Sequence, residues 1–232
     1  MSAKNIEELL KKHANEFHPV VPFESGDKLL LLDFTEKNKE LNGEILENTN
    51  SFIKYINSKL ADAKAKYGIG GYGEHRTIYS VSRVFDSPGG EPRRLHLGID
   101  IWGKPYTKVI APLDGIVHSF AFNNAFGDYG ATIILTHNLE GKTFHTLYGH
   151  LSLNSIKNMQ EGERIKKGDV FAEFGIPVEN GSWPPHLHFQ IITNMDRGKG
   201  DYPGVCKFSE RESYLSNSPD PDLILRMMQY AE

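Results

Sequence analysis

Apolar residues recur along this chain in two rhythms, helical before about residue 66 and strand-like after Thr77. Residues 5–17 carry aliphatic positions spaced for a short helix, which His18-Pro19 and Val21-Pro22 end, because proline disfavours helix in the residue before it. Residues 44–66 place Phe52, Ile53, Ile56 and Leu60 on one face and stop at Gly68, the pattern of an amphipathic helix whose apolar stripe packs on the rest of the chain. Between them, residues 28–34 hold four consecutive leucines, a closely bounded run that predicts a buried strand. Gly68-Ile69-Gly70-Gly71-Tyr72-Gly73 reads as a flexible hinge; it lacks the preceding strand and the Lys-Ser/Thr of a phosphate-binding loop. Beyond it, short β-rich runs alternate with turns at Asp114-Gly115, Gly127, Gly130, Gly141, Gly168 and Gly175, the rhythm of an all-β sandwich or barrel. The tail from 196 to 232 is turn-rich, with Ser218-Pro219-Asp220-Pro221 ahead of a short apolar helix over 223–230. The pattern divides the chain into a helical and strand extension (1–75), a β domain (76–195) and a tail (196–232).

Composition narrows the function classes. At 232 residues and 39% apolar, the chain suits one core with appended segments rather than two large ones. A formal net charge of −4 gives neither the basic footprint of a nucleic-acid binder nor a cationic surface for an anionic cell wall. No run of about 18 apolar residues predicts a membrane span. Residues 1–12 are polar and helical, without the apolar stretch and small-residue cleavage site of a secretory leader. Taken as a native start they predict a cytoplasmic protein; taken as a trimmed one they leave a secreted or periplasmic protein open. Cys206, the one cysteine, cannot form an internal disulfide, consistent with a reducing compartment.

The candidate chemistry lies in three short segments: His96-Leu97-Gly98-Ile99-Asp100, Tyr148-Gly149-His150-Leu151 and His186-Leu187-His188-Phe189. In a strand, residues two apart share a face at roughly 6.5 to 7 Å along the chain, so His186 and His188 can sit side by side over one metal ion. Four residues of extended strand span about 13 Å, too far for His96 and Asp100 to meet on an ion whose ligands lie about 2.0 to 2.2 Å away. The chain must bend between them, and Gly98 is the residue that permits it. His137 and His145 read as strand residues of the same sheet, His145 with a second reading as a partner that orients a metal ligand. His13, His18, His75 and His118 read as ordinary surface or core residues. Trp102, Tyr106 and Tyr148 read as core aromatics or groove walls.

The order His-x-x-x-Asp, Tyr-x-His-Leu, His-x-His resembles the lysostaphin/LytM-type zinc metalloendopeptidases, among them enzymes that cut peptide cross-links of bacterial cell walls. Ala111-Pro112-Leu113-Asp114-Gly115-Ile116-Val117 and Gly162-Glu163-Arg164-Ile165-Lys166-Lys167-Gly168-Asp169-Val170 resemble that family's strand and turn after the first ligand pair and its hairpin before the last. The resemblance runs from about Thr77 to Thr193. It implies a mainly β fold, an antiparallel β-sheet in a barrel-like sandwich with the N-terminal helical extension added. It also implies one Zn2+ held by His96, Asp100 and His188, a water in the fourth position, and His150 and His186 as the catalytic pair. An open site of three nitrogen and oxygen ligands suits a hydrolytic zinc, whereas structural zinc is closed, usually by cysteines. Which of His150 and His186 is the base stays open. The implied activity is hydrolysis of peptide bonds, in a peptide or peptidoglycan-derived substrate. Alternatives are a zinc amide hydrolase acting on a small intracellular metabolite and a non-catalytic binding module on the same fold. Where many family members read Ser-Thr-Gly-Pro, this chain reads Ser182-Trp183-Pro184-Pro185, which predicts a stiff loop, with Trp183 packing or narrowing the groove.

Overall fold

The computed structural model describes residues 3–24, 26–86 and 89–232. The chain opens with helix α1 (Ala3–Lys12), strand β1 (Leu29–Leu31), helices α2 (Gly43–Leu46) and α3 (Thr49–Ala63) and strand β2 (Tyr67–Gly70). After two short 3-10 helices (Ile78–Val81 and Arg83–Phe85) come β3 (Leu95–His96), β4 (Ile99–Trp102), β5 (Lys108–Ile110), β6 (Gly115–Asn123), β7 (Gly130–Leu139) and β8 (Lys142–Leu151). Helix α4 (Leu153–Ile156) leads to β9 (Arg164–Ile165), β10 (Val170–Glu173), β11 (His186–Ile192) and β12 (Val205–Cys206), and α5 (Arg211–Asn217) and α6 (Asp222–Leu225) follow.

Eight strands make one sheet in the order β1-β2-β4-β11-β8-β7-β6-β9. The expected mainly β fold is met, with two refinements. The β1–β2 pair is parallel while its neighbours are antiparallel, so the sheet is mixed. It is also open, its outermost strands β1 and β9 remaining unjoined among the described residues, so no closed barrel forms. Two ribbons, β5–β10 and β3–β12, flank it. Strand β11 shows how the sheet separates core from site. Leu187, Phe189 and Ile191 join the main apolar cluster with Ile99 and Ile101 of β4, while His186, His188 and Gln190 alternate onto the other face.

The flanks pack on this core. Helix α1 contributes Ile6 and Leu10, and the tail contributes Ile224, Leu225 and Met227, to the same cluster. The predicted helix over 44–66 is two helices: Asn48 accepts a hydrogen bond from the Ser51 N–H and starts α3, as Asn42 caps α2 through the Ile45 N–H. Asparagine is a strong N-cap because its side chain satisfies an orphan donor of the first turn. Of the expected stripe, Phe52 and Ile56 pack with Phe34, Trp102 and Trp183, and Leu60 packs against the same cluster. Of the leucine run only Leu29–Leu31 is strand. The predicted terminal helix splits into α6 and a 3-10 turn, Met228–Tyr230, at Arg226, whose φ is 51°.

The hinge expected at Gly68–Gly73 is a correction. Its first half belongs to β2, buried between β1 and β4, with Gly68 opposite Trp102 and Gly70 opposite Asp100. Gly70 answers to space rather than flexibility, since a Cβ there would lie 2.6 Å from Arg76 Nη2. No helix among the described residues is long and apolar enough to cross a membrane.

Candidate metal centre

His96 ends β3 opposite Val205 of β12, and Asp100 sits in β4 between Gly70 of β2 and His188 of β11. The strand breaks at Leu97–Gly98, as the spacing requires, and brings His96 and Asp100 together. Gly98 is needed chiefly for clearance: a Cβ would stand 2.5 Å from His188 Cε1, 2.6 Å from its Nε2 and 2.8 Å from the Phe189 carbonyl oxygen. The result is a buried cluster of three donor atoms. His96 Nε2 lies 3.0 Å from His188 Nδ1 and 3.3 Å from Asp100 Oδ1, and His188 Nδ1 lies 3.0 Å from the same oxygen.

The outward bonds of these side chains decide what the cluster is. His96 Nδ1 faces the Gly71 carbonyl oxygen at 3.1 Å; a carbonyl only accepts, so this nitrogen carries the proton and Nε2 is left as a lone pair. The Gln190 amide donates to the Pro203 carbonyl and to Ser218 Oγ, which turns its Oε1 toward His188 Nε2 at 3.0 Å. That oxygen also accepts, so His188 is protonated at Nε2 and bare at Nδ1. Two imidazole lone pairs and a carboxylate oxygen therefore converge without a proton between them, a repulsive arrangement unless a cation sits among them. Donors about 2.1 Å from a tetrahedral ion are about 3.4 Å apart, close to the separations seen. The donor set fits a divalent metal of the zinc type.

Electrostatics agree with a neutral His96 beside a charged carboxylate. Burial, reinforced by the Arg76 guanidinium, lowers His96 to about 4. Burial acts to raise the Asp100 carboxyl, but His96 and Arg76 outweigh it and hold it well below the usual carboxylate range.

His150 and His186 stand beside the cluster with ring centroids 4.0 Å apart. His186 reaches this face by simple alternation from His188. His150 does not, because Tyr148, two residues earlier, is in the core. The register of β8 against β7 shifts between the Ile133–Tyr148 and Ala131–Leu151 pairs, and His150 has φ 62°. A bulge of this kind re-aims a side chain, and the backbone is secured by the His150 N–H donating to the Tyr129 carbonyl at 2.8 Å. Each ring donates through Nδ1 to a carbonyl at 2.8 Å, His150 to Asn180 and His186 to Pro184. Both keep Nε2 as an acceptor. Burial lowers His186 to about 4 and, with His186 beside it, lowers His150 well below its ordinary value.

All five residues singled out in the sequence thus meet at one cleft, of which Asp100, His150, His186 and His188 form part of the lining. Trp183 packs edge-on against Phe52 and Tyr79 and also forms part of the cleft lining. Trp102 and Tyr148 are buried, whereas Tyr106 is on the surface. His145 bonds Thr136 Oγ1 and packs on His118, away from the cleft lining. Sequence reading missed Arg76, Tyr129 and Gln190. Gln190 was accessible by the same period of two that links His186 to His188; Tyr129 and Arg76 are brought in by tertiary packing and had no local signal.

Residues 94–199 match Peptidase family M23. The chain is 30% identical over 137 residues to an uncharacterized metalloprotease of Haemophilus influenzae, an alignment covering 59% of this chain and 26% of that protein. It is 29% identical over 143 residues to the L-Ala–D-Glu endopeptidase of Bacillus subtilis, covering 56% and 42%. The chain therefore spans less than half the length of the curated relatives it matches. Among solved structures, the catalytic domain of the antimicrobial peptidase lysostaphin from Staphylococcus simulans aligns over 71% of this chain and 98% of its own, at 21% identity and a TM-score of 0.41. Over residues 94–199, just under half of its length, the chain is similar to peptidase family M23.

Proposed function

We propose that this chain is a zinc-dependent metalloendopeptidase, with His96, Asp100 and His188 holding one Zn2+ and His150 and His186 serving the hydrolysis of a peptide bond. The observation that carries the reading is the convergence of three unprotonated donor atoms at 3.0 to 3.3 Å. Zinc bound there would supply a Lewis acid and bring the pKa of a coordinated water to about 7. The chain's own groups do the rest. His150 and His186 are fixed in the tautomer that offers Nε2 as an acceptor, so either can take the proton released when water attacks a carbonyl and return it to the leaving amine. Trp183 and Tyr129, both lining the cleft, exclude water and confine the substrate chain.

The substrate is a peptide of the peptidoglycan type, a reading supported by the family match and by the name of the Bacillus subtilis relative. The catalytic unit is the β domain over 76–195, with 1–75 and 196–232 packed against it. Incubating zinc-loaded protein with purified peptidoglycan and with a mixed peptide library, read by mass spectrometry against Asp100→Ala, tests the assignment. New peptide termini made only by the intact protein are expected. No cleavage of either substrate by protein shown to hold one zinc would overturn it in favour of a metabolite amide hydrolase or a binding module.

A further inference from the structure

Asp100 has two carboxylate oxygens, and only Oδ1 belongs to the donor cluster. The other, Oδ2, accepts a hydrogen bond from Nη1 of Arg76. Arg76 is fully buried, an arrangement that is costly unless the charge is paired and bonded. It is held from three sides. Nε donates to Glu74 Oε2 at 2.7 Å, Nη1 donates to Tyr79 Oη at 3.2 Å, and the guanidinium lies 5.1 Å from the centroid of the Phe34 ring.

The backbone fixes the same geometry. Arg76 N–H donates to the Arg94 carbonyl, His96 N–H to the Glu74 carbonyl and Gly73 N–H to the His96 carbonyl, each at 2.9 Å. Residues 73–76 are therefore laced to the segment bearing His96. Across the sheet, Gly70 faces Asp100 and leaves the room that the guanidinium fills. Both the arginine and the glycine that admits it precede residue 94, where the family match begins.

We propose that Arg76 is a positioning residue for the metal-ligating carboxylate, holding Oδ2 of Asp100 so that a single oxygen faces the two histidine nitrogens. Glu74 orients the guanidinium and offsets its charge, so the segment ahead of the M23 match completes the metal centre. The planar fork of arginine suits this task; it engages Asp100 and Glu74 from different nitrogens of one rigid group, which a lysine ammonium cannot reproduce. The inference rests on the metal reading of the cluster.

Co2+ is a suitable probe, because its visible absorption is strong in four-coordinate sites and weakens as coordination number rises. Metal-free wild-type protein is titrated first. Failure to bind one equivalent defeats the metal reading itself, and this inference with it. With wild-type binding established, Arg76→Met is expected to bind Co2+ about 10- to 100-fold more weakly, with a weaker visible band because Asp100 is free to offer both oxygens. Arg76→Lys falls between the two. The double variant Arg76→Met/Glu74→Met removes the buried guanidinium together with its partly buried partner, serves as the test if the single variant does not fold, and carries the same expectation. A merely structural role would lower the melting temperature of the metal-free protein while leaving affinity and spectrum of the folded protein at wild-type values; that result in either Met variant overturns the proposal.

Discussion

The His186 imidazole lies flat against the Trp102 indole, ring centroids 3.8 Å apart and planes 13° from parallel. Trp102 is itself wedged between Phe34 and Phe52, so the ring orientation of His186 is set by the packing that docks α3 on the sheet. Trp102→Phe keeps an aromatic core residue but shortens the surface on which His186 rests. The expected outcome is about a tenfold loss of kcat, the scale on which small misplacements act, with one equivalent of zinc retained. Steady-state kinetics and metal analysis on the same preparation check it; loss of metal in parallel with kcat would show that the indole supports the ligands instead.

His150 and His186 are in ring contact and each keeps Nε2 free of a proton. If they act as a pair on one proton transfer, removing either disables the same step. His150→Ala and His186→Ala are each expected to lower kcat by about 10²- to 10⁴-fold, the usual range for general acid–base groups, while zinc remains bound. The double variant should be within about tenfold of the worse single one, since residues working as a unit are not additive. Multiplying losses in the double variant would assign the two rings to separate steps.

Gly98 tests the metal centre without replacing a ligand. The contact distances to His188 leave no room for a methyl group, and overpacking of this kind costs about 1 to 3 kcal/mol. Gly98→Ala is expected to bind zinc at least tenfold more weakly in competition with a chelator. The wild-type protein should gain about 2.7 kcal/mol of stability when free zinc exceeds Kd a hundredfold, a gain that the variant shows only at higher zinc. Equal zinc-dependent melting shifts in the two proteins would mean that His188 does not bind the ion.

Legibility in the sequence followed the range of each physical signal. The His186-x-His188 pair shares a face because strands have a period of two, a local rule, and the break at Gly98 follows from the length of four extended residues. His150 is legible only through the family pattern: the bulge that turns it from the core depends on the register of β8 against β7, which no local spacing encodes. The glycines of 68–73 misled, because glycine signals equally well a flexible link and a strand that another side chain must crowd. At Gly70 the crowding group is Arg76, whose role depends on Asp100, 24 residues away. The split of the 44–66 helix is locally encoded by Asn42 and Asn48, each of which caps one of the two helices, whereas the apolar stripe from Phe52 to Leu60 lies wholly in the second helix and carries no sign of the break.

A buried histidine outside the cleft gives the protein an acid-sensitive fold. His137 in β7 donates from Nδ1 to the Asp114 carbonyl at 2.8 Å, and its Nε2 accepts from the Thr146 hydroxyl at 2.7 Å. Burial lowers it to about 4 from an ordinary 6.5. Above pH 6.5 the ring is neutral in both folded and unfolded chains and titration contributes nothing. Between 6.5 and 4 the unfolded chain takes up a proton that the folded chain refuses, so stability falls as the pH falls, and the slope vanishes again below 4. A shift of this size corresponds to about 3 kcal/mol over the window. His137→Gln can keep one of the two hydrogen bonds and has no proton to gain, so it is expected to be less stable at pH 7.5 but to lose less stability on acidification. Urea unfolding of metal-free wild type and variant from pH 7.5 to 4.5 measures the difference. Metal-free protein is required because zinc binding is itself pH-dependent and would add a second pH dependence. Parallel profiles for the two proteins would show that other buried histidines carry the acid sensitivity.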